Sequence, residues 1–156
     1  MLLIMGGNGS YSKDFRGIPN VKRTHTDTNT RVDGHKVLLQ KGNAKQSKNI
    51  LNSNSESPIY LIAKVKDGVI EVQSINVFKK HEISLEINLE YDAKGNVIPF
   101  SEGNKRGSHA HLWDRDEMGN FNRKEHDRKN TFSIPPEYNK LIDDIVTYNR
   151  KGIKWL

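Results

Sequence analysis

Apolar residues recur along this chain with two different periods. Ile83, Leu85, Ile87 and Leu89 alternate with Ser84, Glu86, Asn88 and Glu90. A period of two puts each set on its own face, so a half-buried strand with an acidic outer face is expected. Residues 59–65 form a β-rich run, Asp67-Gly68 has the composition of a type I′ hairpin turn, and residues 69–78 are expected to return as the partner strand. Alternation in that return is loose, because Ser74 and Asn76 fall on the side of Ile70 and Val72. That face is therefore not expected to be wholly dry. Residues 35–40, 97–100 and 107–114 supply further short extended segments.

Near the C-terminus the period changes. Tyr138, Leu141, Ile142, Ile145 and Val146 fall at i, i+3, i+4, i+7 and i+8, one stripe of a helix. Pro135 and Pro136 suit its first turn, and Gly152 its end. A helix over residues 136–150 is expected to cover one face of the sheet. The fold class is α+β: an antiparallel meander of four to six strands packed by a C-terminal helix.

Residues 1–34 have no apolar period of either kind. A glycine- and serine-rich lead, residues 6–12, precedes a polar stretch, residues 22–31. Such a segment buries too little to offset its ordering entropy. Two parts are expected: a flexible basic N-terminal arm, 1–34, and a single α+β domain, 35–156. Gly6, Gly7 and Gly9 do not make a phosphate loop, since no strand precedes them and no Lys-Ser/Thr closes them.

Charge sharpens the division. The net charge is +6. Residues 1–50 carry nine Lys/Arg against three Asp/Glu, residues 51–100 five against seven, and residues 101–156 eleven against nine. The excess lies in the N-terminal third, which points to a polyanionic partner, most commonly nucleic acid and here RNA. Lys22, Arg23, Arg31, Lys36, Lys79, Lys80, Arg123 and Lys129 are the candidate contacts, with Trp113 a stacking surface. There is no cysteine, which excludes disulfides and thiolate metal ligation and favours a reducing compartment. The apolar run Met1–Met5 is too short for a secretory signal, and Met5 is an alternative start. No stretch is long enough to span a membrane, so a cytoplasmic location is expected.

Candidate chemistry concentrates in Gly107-Ser108-His109-Ala110-His111-Leu112-Trp113. On a strand, His109, His111 and Trp113 share a face. The segment 122–131 adds Arg123, Lys124, His126, Arg128, Lys129 and Thr131. Cleavage of RNA by its own 2′-hydroxyl needs a general base, a general acid and cations around the phosphate. Histidines serve the first two roles near neutral pH, Lys124 and Arg128 the third, and Thr131 adds a hydrogen bond. Trp113, Phe121 and Phe132 suit base stacking. No cofactor is required. A metal-binding hydrolase using His109, His111 and His126 is an alternative, since the His-x-His spacing aims two imidazoles one way. The structural alternative is that both histidines bond across strands while residues 123–129 form a solvated charged loop. His25, His35 and His81 are isolated and expected to be structural or exposed, although His81 beside Lys79 and Lys80 could join a site across the sheet.

The residues 107–111 and the block from Lys124 to Thr131, in a small basic cysteine-free chain, resemble the barnase–EndoU–colicin–RelE group of RNases, which includes toxin domains and phage-associated members. That resemblance implies metal-independent cleavage with a cyclic phosphate product, His109 or His111 as base and acid, and Lys124 or Arg128 as phosphate clamp. In that group a helix usually precedes the sheet, whereas here the one expected helix is C-terminal. A third possibility needs no catalysis: a phage-type inhibitor that binds a host nuclease or a ribonucleoprotein complex, its basic arm occupying a nucleic-acid channel.

Overall fold

A computed structural model describes residues 24–41, 58–101, 107–115, 117–119, 121–123 and 131–155. Its elements are β1 (His25–Val32), β2 (His35–Gln40), β3 (Ile59–Lys66), β4 (Val69–Lys79), β5 (Glu82–Asn88), β6 (His109–Arg115) and β7 (Phe121–Arg123). A 3₁₀ turn, Pro136–Tyr138, leads into the helix α1 (Asn139–Arg150). The strands lie side by side in chain order as one seven-stranded sheet. Every neighbouring pair is antiparallel except β2 and β3, which run parallel. The fold is thus α+β, an antiparallel sheet packed by a C-terminal helix, with one parallel pair added.

Two bulges decide which side chains share a face. Ile62 pairs with Ser74 and Ala63 with Val72, so Gln73 is an extra residue in β4. Val77 pairs with Leu85 and Phe78 with Ile83, so Ser84 is an extra residue in β5. Each extra residue reverses the alternation of its strand. Ile70, Val72, Ile75 and Val77 consequently face the helix together, while Ser74, Asn76 and Phe78 face the other way. Ile83 likewise leaves the face of Leu85, Ile87 and Leu89 and joins Leu38, Tyr60, Ile62 and Phe78 in a second apolar cluster.

The helix covers the first face. Leu141, Ile142, Ile145 and Tyr148 are its buried residues. Tyr148, rather than Val146, completes the expected stripe. Gly152 ends the helix with φ +63°, a left-handed conformation that favours glycine. Val72 lies beyond the end of β5, and side chains take both of its backbone groups on that edge. The Val72 N–H donates to Asn149 Oδ1 at 2.9 Å, and Tyr91 Oη–H donates to the Val72 carbonyl at 2.5 Å. Beyond the helix, the tail fills the edge of β4 that β5 is too short to reach. There Ile70 N–H donates to the Ile153 carbonyl at 2.9 Å, and Trp155 N–H to Gly68 at 3.0 Å.

Part of the expected arm is structured. Residues 25–34 are β1 and its turn, so the boundary at residue 34 falls inside a hairpin; residues 1–23 lie outside the described residues. Hydroxyls do here what apolar burial does elsewhere. Thr28 Oγ1 donates to the Val37 carbonyl at 2.7 Å, and Asn29, at φ 60°, donates its N–H to Asp27 Oδ1 at 2.8 Å. Thr30 Oγ1 lies 2.8 Å from Tyr148 Oη, tying this edge strand to the helix.

Two predictions follow from these ties. Asn149→Ala removes the acceptor for Val72 N–H and should cost about 1–3 kcal/mol in urea unfolding. Burial holds the His35 imidazole below its ordinary pKa of 6.5, against Asp33, which raises it, and with Arg31, which lowers it further. Below that ordinary value the unfolded chain takes up the proton first, so stability falls as pH drops from 6.5 through the folded pKa. His35→Gln should flatten that part of the stability–pH curve.

Candidate functional site

The second face of β4, β5 and β6 carries polar side chains in two rows that run across the strands. Tyr60 pairs with Asn76, Asn76 with Glu86, and Glu86 with His111. Phe132 bridges Ala110 antiparallel, which sets Thr131 beside His111 at the end of that row. In the adjacent row Ile62 pairs with Ser74, Ser74 with Asn88, and Asn88 with His109. Directly opposed residues on neighbouring strands have Cβ atoms about 4.5–5.5 Å apart, so each row is a line of side-chain neighbours.

Most of this polar surface is out of water. Ser74, Asn76 and Glu86 are 0% exposed, and His111 is 8% exposed. His109 and Trp113 are only partly buried. The two imidazoles meet edge to face, with centroids 4.8 Å apart and planes at 86°. His109 Nδ1 lies 2.9 Å from the Gly107 carbonyl oxygen. A carbonyl can only accept, so this nitrogen carries the hydrogen. In the neutral ring the lone pair is then on Nε2, 3.5 Å from Asn88 Nδ2. Trp113 Nε1–H donates to Glu86 Oε1 at 3.0 Å, fixing the indole over the row. On this face the buried Ser74 Oγ and Asn88 Oδ1 have no hydrogen-bond partner among the described residues.

Local backbone contacts aim the histidine strand. Ser108 N–H donates to the Ile98 carbonyl at 3.0 Å, and Glu90 N–H donates to Ser108 Oγ at 2.9 Å. These bonds tie the entry of β6 to the end of β5 and to residues 97–100. Gly107 has to be glycine for reasons of space. A Cβ there would lie 2.4 Å from the Pro99 carbonyl oxygen.

His109, His111, Trp113 and Thr131 are therefore brought to one face. Lys124, His126, Arg128 and Lys129 lie outside the described residues, as do Lys22 and Arg23. Arg123 is in β7, where backbone pairing sets it opposite Trp113. Lys36, expected to contact nucleic acid, is 9% exposed and ion-paired to Asp27 at 3.2 Å. Arg31 is exposed, with Nη1 donating to the Gly34 carbonyl at 2.9 Å. Lys79 and Lys80 are exposed at the β4–β5 turn, where Lys80 and His81 have φ 52° and 67°. His81 is exposed in that turn, at the end of the hairpin rather than among the polar rows. Phe132 packs against the main core, on the face opposite His111, and is no stacking surface for the site.

The residues missed in the sequence are Ser74, Asn76, Glu86 and Asn88. The alternation of β5 predicts Glu86 on an outer acidic face; the folded chain buries it instead. For Ser74 and Asn76 the signal is the loose alternation of β4, which marks polar positions on a face that is otherwise apolar. Among the described residues no group of three His, Asp or Glu side chains is placed to hold a metal ion. No described helix is long and apolar enough to cross a membrane. Comparison with protein-family models, curated proteins and solved structures finds no match.

Gly107→Ala should displace the carbonyl that fixes His109. The expected cost is about 1–3 kcal/mol in chemical denaturation, with a shifted His109 ring resonance in NMR. Unchanged stability and an unshifted ring would show that this contact does not aim the histidine.

Proposed function

We propose that the second face of β4–β6 is a metal-independent RNA-cleaving site. The observation that carries this reading is the pair of imidazoles in edge contact, one with Nδ1–H held by a carbonyl so that its Nε2 is a base. His109, the more exposed ring, takes the proton of a ribose 2′-hydroxyl. The 2′-oxygen attacks phosphorus and the bond to the 5′-oxygen breaks. His111, as imidazolium, gives its proton to that leaving oxygen. The products are a 2′,3′-cyclic phosphate and a 5′-hydroxyl; solvent exchange returns each ring to its starting state.

Other residues support the same chemistry. Thr131, beside His111 in register, suits a hydrogen bond to a phosphate oxygen. Trp113, pinned through Nε1 to Glu86, offers a rigid face for a base. Arg123, Lys124, Arg128 and Lys129 are the cations of the intervening segment, and charge development on phosphorus gives them a role. The concentration of positive charge in residues 1–50 adds a general attraction for the polyanion that weakens with salt.

The test is cleavage of a short RNA in EDTA. The expected products end in a cyclic phosphate, and a substrate with one 2′-deoxyribose is resistant at that position. His109→Ala and His111→Ala should each lower the rate by about 10²–10⁴-fold. Loss of activity in EDTA would favour a metal-dependent hydrolase. Binding of RNA or of a host ribonucleoprotein without cleavage, unaffected by either variant, would favour the non-catalytic inhibitor.

A further inference from the structure

We propose that Asn88 and His109 form a hydroxyl-binding subsite, in which Asn88 Nδ2 donates to the oxygen whose hydrogen His109 Nε2 accepts. The identity of that group as a ribose 2′-hydroxyl rests on the RNA-cleaving reading; the arrangement of donor and acceptor does not. Two contacts fix which atom offers what. The Gly107 carbonyl, 2.9 Å from His109 Nδ1, takes the hydrogen of the neutral ring and leaves the lone pair on Nε2. Nε2 faces Asn88 Nδ2 at 3.5 Å. A full hydrogen bond is about 2.9–3.0 Å long, so this donor and acceptor are adjacent yet weakly engaged. The amide oxygen gives no firmer hold, since Asn88 Oδ1 has no partner among the described residues although Asn88 is only 8% exposed. Strand pairing sets Asn88 directly opposite His109. The two backbones are thus fixed, while no strong bond fixes the plane of the amide.

A hydroxyl matches this pair, and other common ligand groups do not. A carbonyl oxygen, or a phosphate oxygen carrying no hydrogen, accepts from Nδ2 but opposes the Nε2 lone pair. An amide or ammonium N–H suits Nε2 but opposes Nδ2. A hydroxyl both donates and accepts. With the two nitrogens parted by about 1 Å, one oxygen about 2.9 Å from each bonds both at a near-tetrahedral angle. Only the weak contact they now make is given up. His109 is partly exposed and Asn88 nearly covered, so a ligand meets the pair from the side of the ring. As the hydroxyl proton passes to Nε2, its electron pair stays on oxygen, and the Asn88 N–H stabilises the negative charge that builds there. Deoxyribose lacks this group, so the same pair sets RNA apart from DNA.

The experiment is an NMR titration of the full chain at pH 8 with the four ribonucleoside 3′-monophosphates in turn, which carry the 2′-hydroxyl but no 5′-leaving group, and with their 2′-deoxy counterparts. At least one ribonucleotide is expected to shift the Asn88 side-chain amide and the His109 ring together, and its 2′-deoxy counterpart to shift neither. Equal shifts from the two forms, or no shift of the Asn88 amide with any of the four, overturn the proposal. Asn88→Ala should abolish the preference for ribose; a preference kept in that variant also overturns the proposal. Should the variant not fold, the comparison of the two sugars in the native chain decides alone. Cleavage assays separate the two readings. A ribose-dependent shift without RNA cleavage keeps the subsite and removes the nuclease. Loss of one such donor is expected to lower kcat by about 10²–10³-fold, so cleavage with an unchanged kcat in Asn88→Ala keeps the nuclease and removes the subsite.

Discussion

Much of this structure depends on one inserted residue, Gln73. Without it, β4 would alternate strictly from Ile70 to Phe78. Ile70, Val72, Ser74, Asn76 and Phe78 would then share a face, and the helix side would lose Ile70 and Val72 from its core. The insertion lets a single strand present Ile70 and Val72, then Ile75 and Val77, to α1, while Ser74, Asn76 and Phe78 turn away. An unpaired buried amide is costly, and Val72 lies beyond the end of β5. Asn149 and Tyr91 take its two backbone groups, which ties the helix to this edge of β4.

The same insertion creates the polar second face. Ser74 and Asn76 reach the middle of the sheet on the side away from the helix, in line with Asn88, Glu86 and the two histidines. Burying such groups is unfavourable unless they are bonded to one another, and the arrangement meets this only in part. Trp113 serves Glu86, and Gly107 serves His109, but Ser74 Oγ and Asn88 Oδ1 have no partner among the described residues. Apolar residues at these positions would be the simpler solution for stability alone. A row of Ser, Asn and Glu beside one buried and one partly exposed imidazole is not the arrangement that core stability alone would select.

Sequence periodicity made the fold class and the helix legible because both rest on burial. Residues 136–150 became a 3₁₀ turn and α1, and Gly152 closed the helix with positive φ. The strand β1 was not legible, since its order comes from threonine hydroxyls and from Tyr148, 118 residues away in sequence. The parallel pairing of β2 with β3 is also a long-range choice. His109 and His111 stood out by residue type, and the strand period placed them on one face with Trp113. Glu86 did not, because it sits in a clean alternation whose polar set normally faces water. Only its burial in the folded chain reveals that Glu86 does not meet water.

The two faces differ in how they are packed. On the helix side, Ile145 and Val72 are fully buried and their contribution is apolar contact. On the other side the central positions are polar, and apolar packing is confined to the Leu38, Tyr60, Ile62, Phe78 and Ile83 cluster with Trp113 against it. Trp113 touches that cluster through its ring and the polar row through its Nε1–H. It couples the packing of Phe78 and Ile83 to the position of the Glu86 carboxylate. A change in the apolar cluster that tilts the indole would therefore be felt at Glu86, in the polar row.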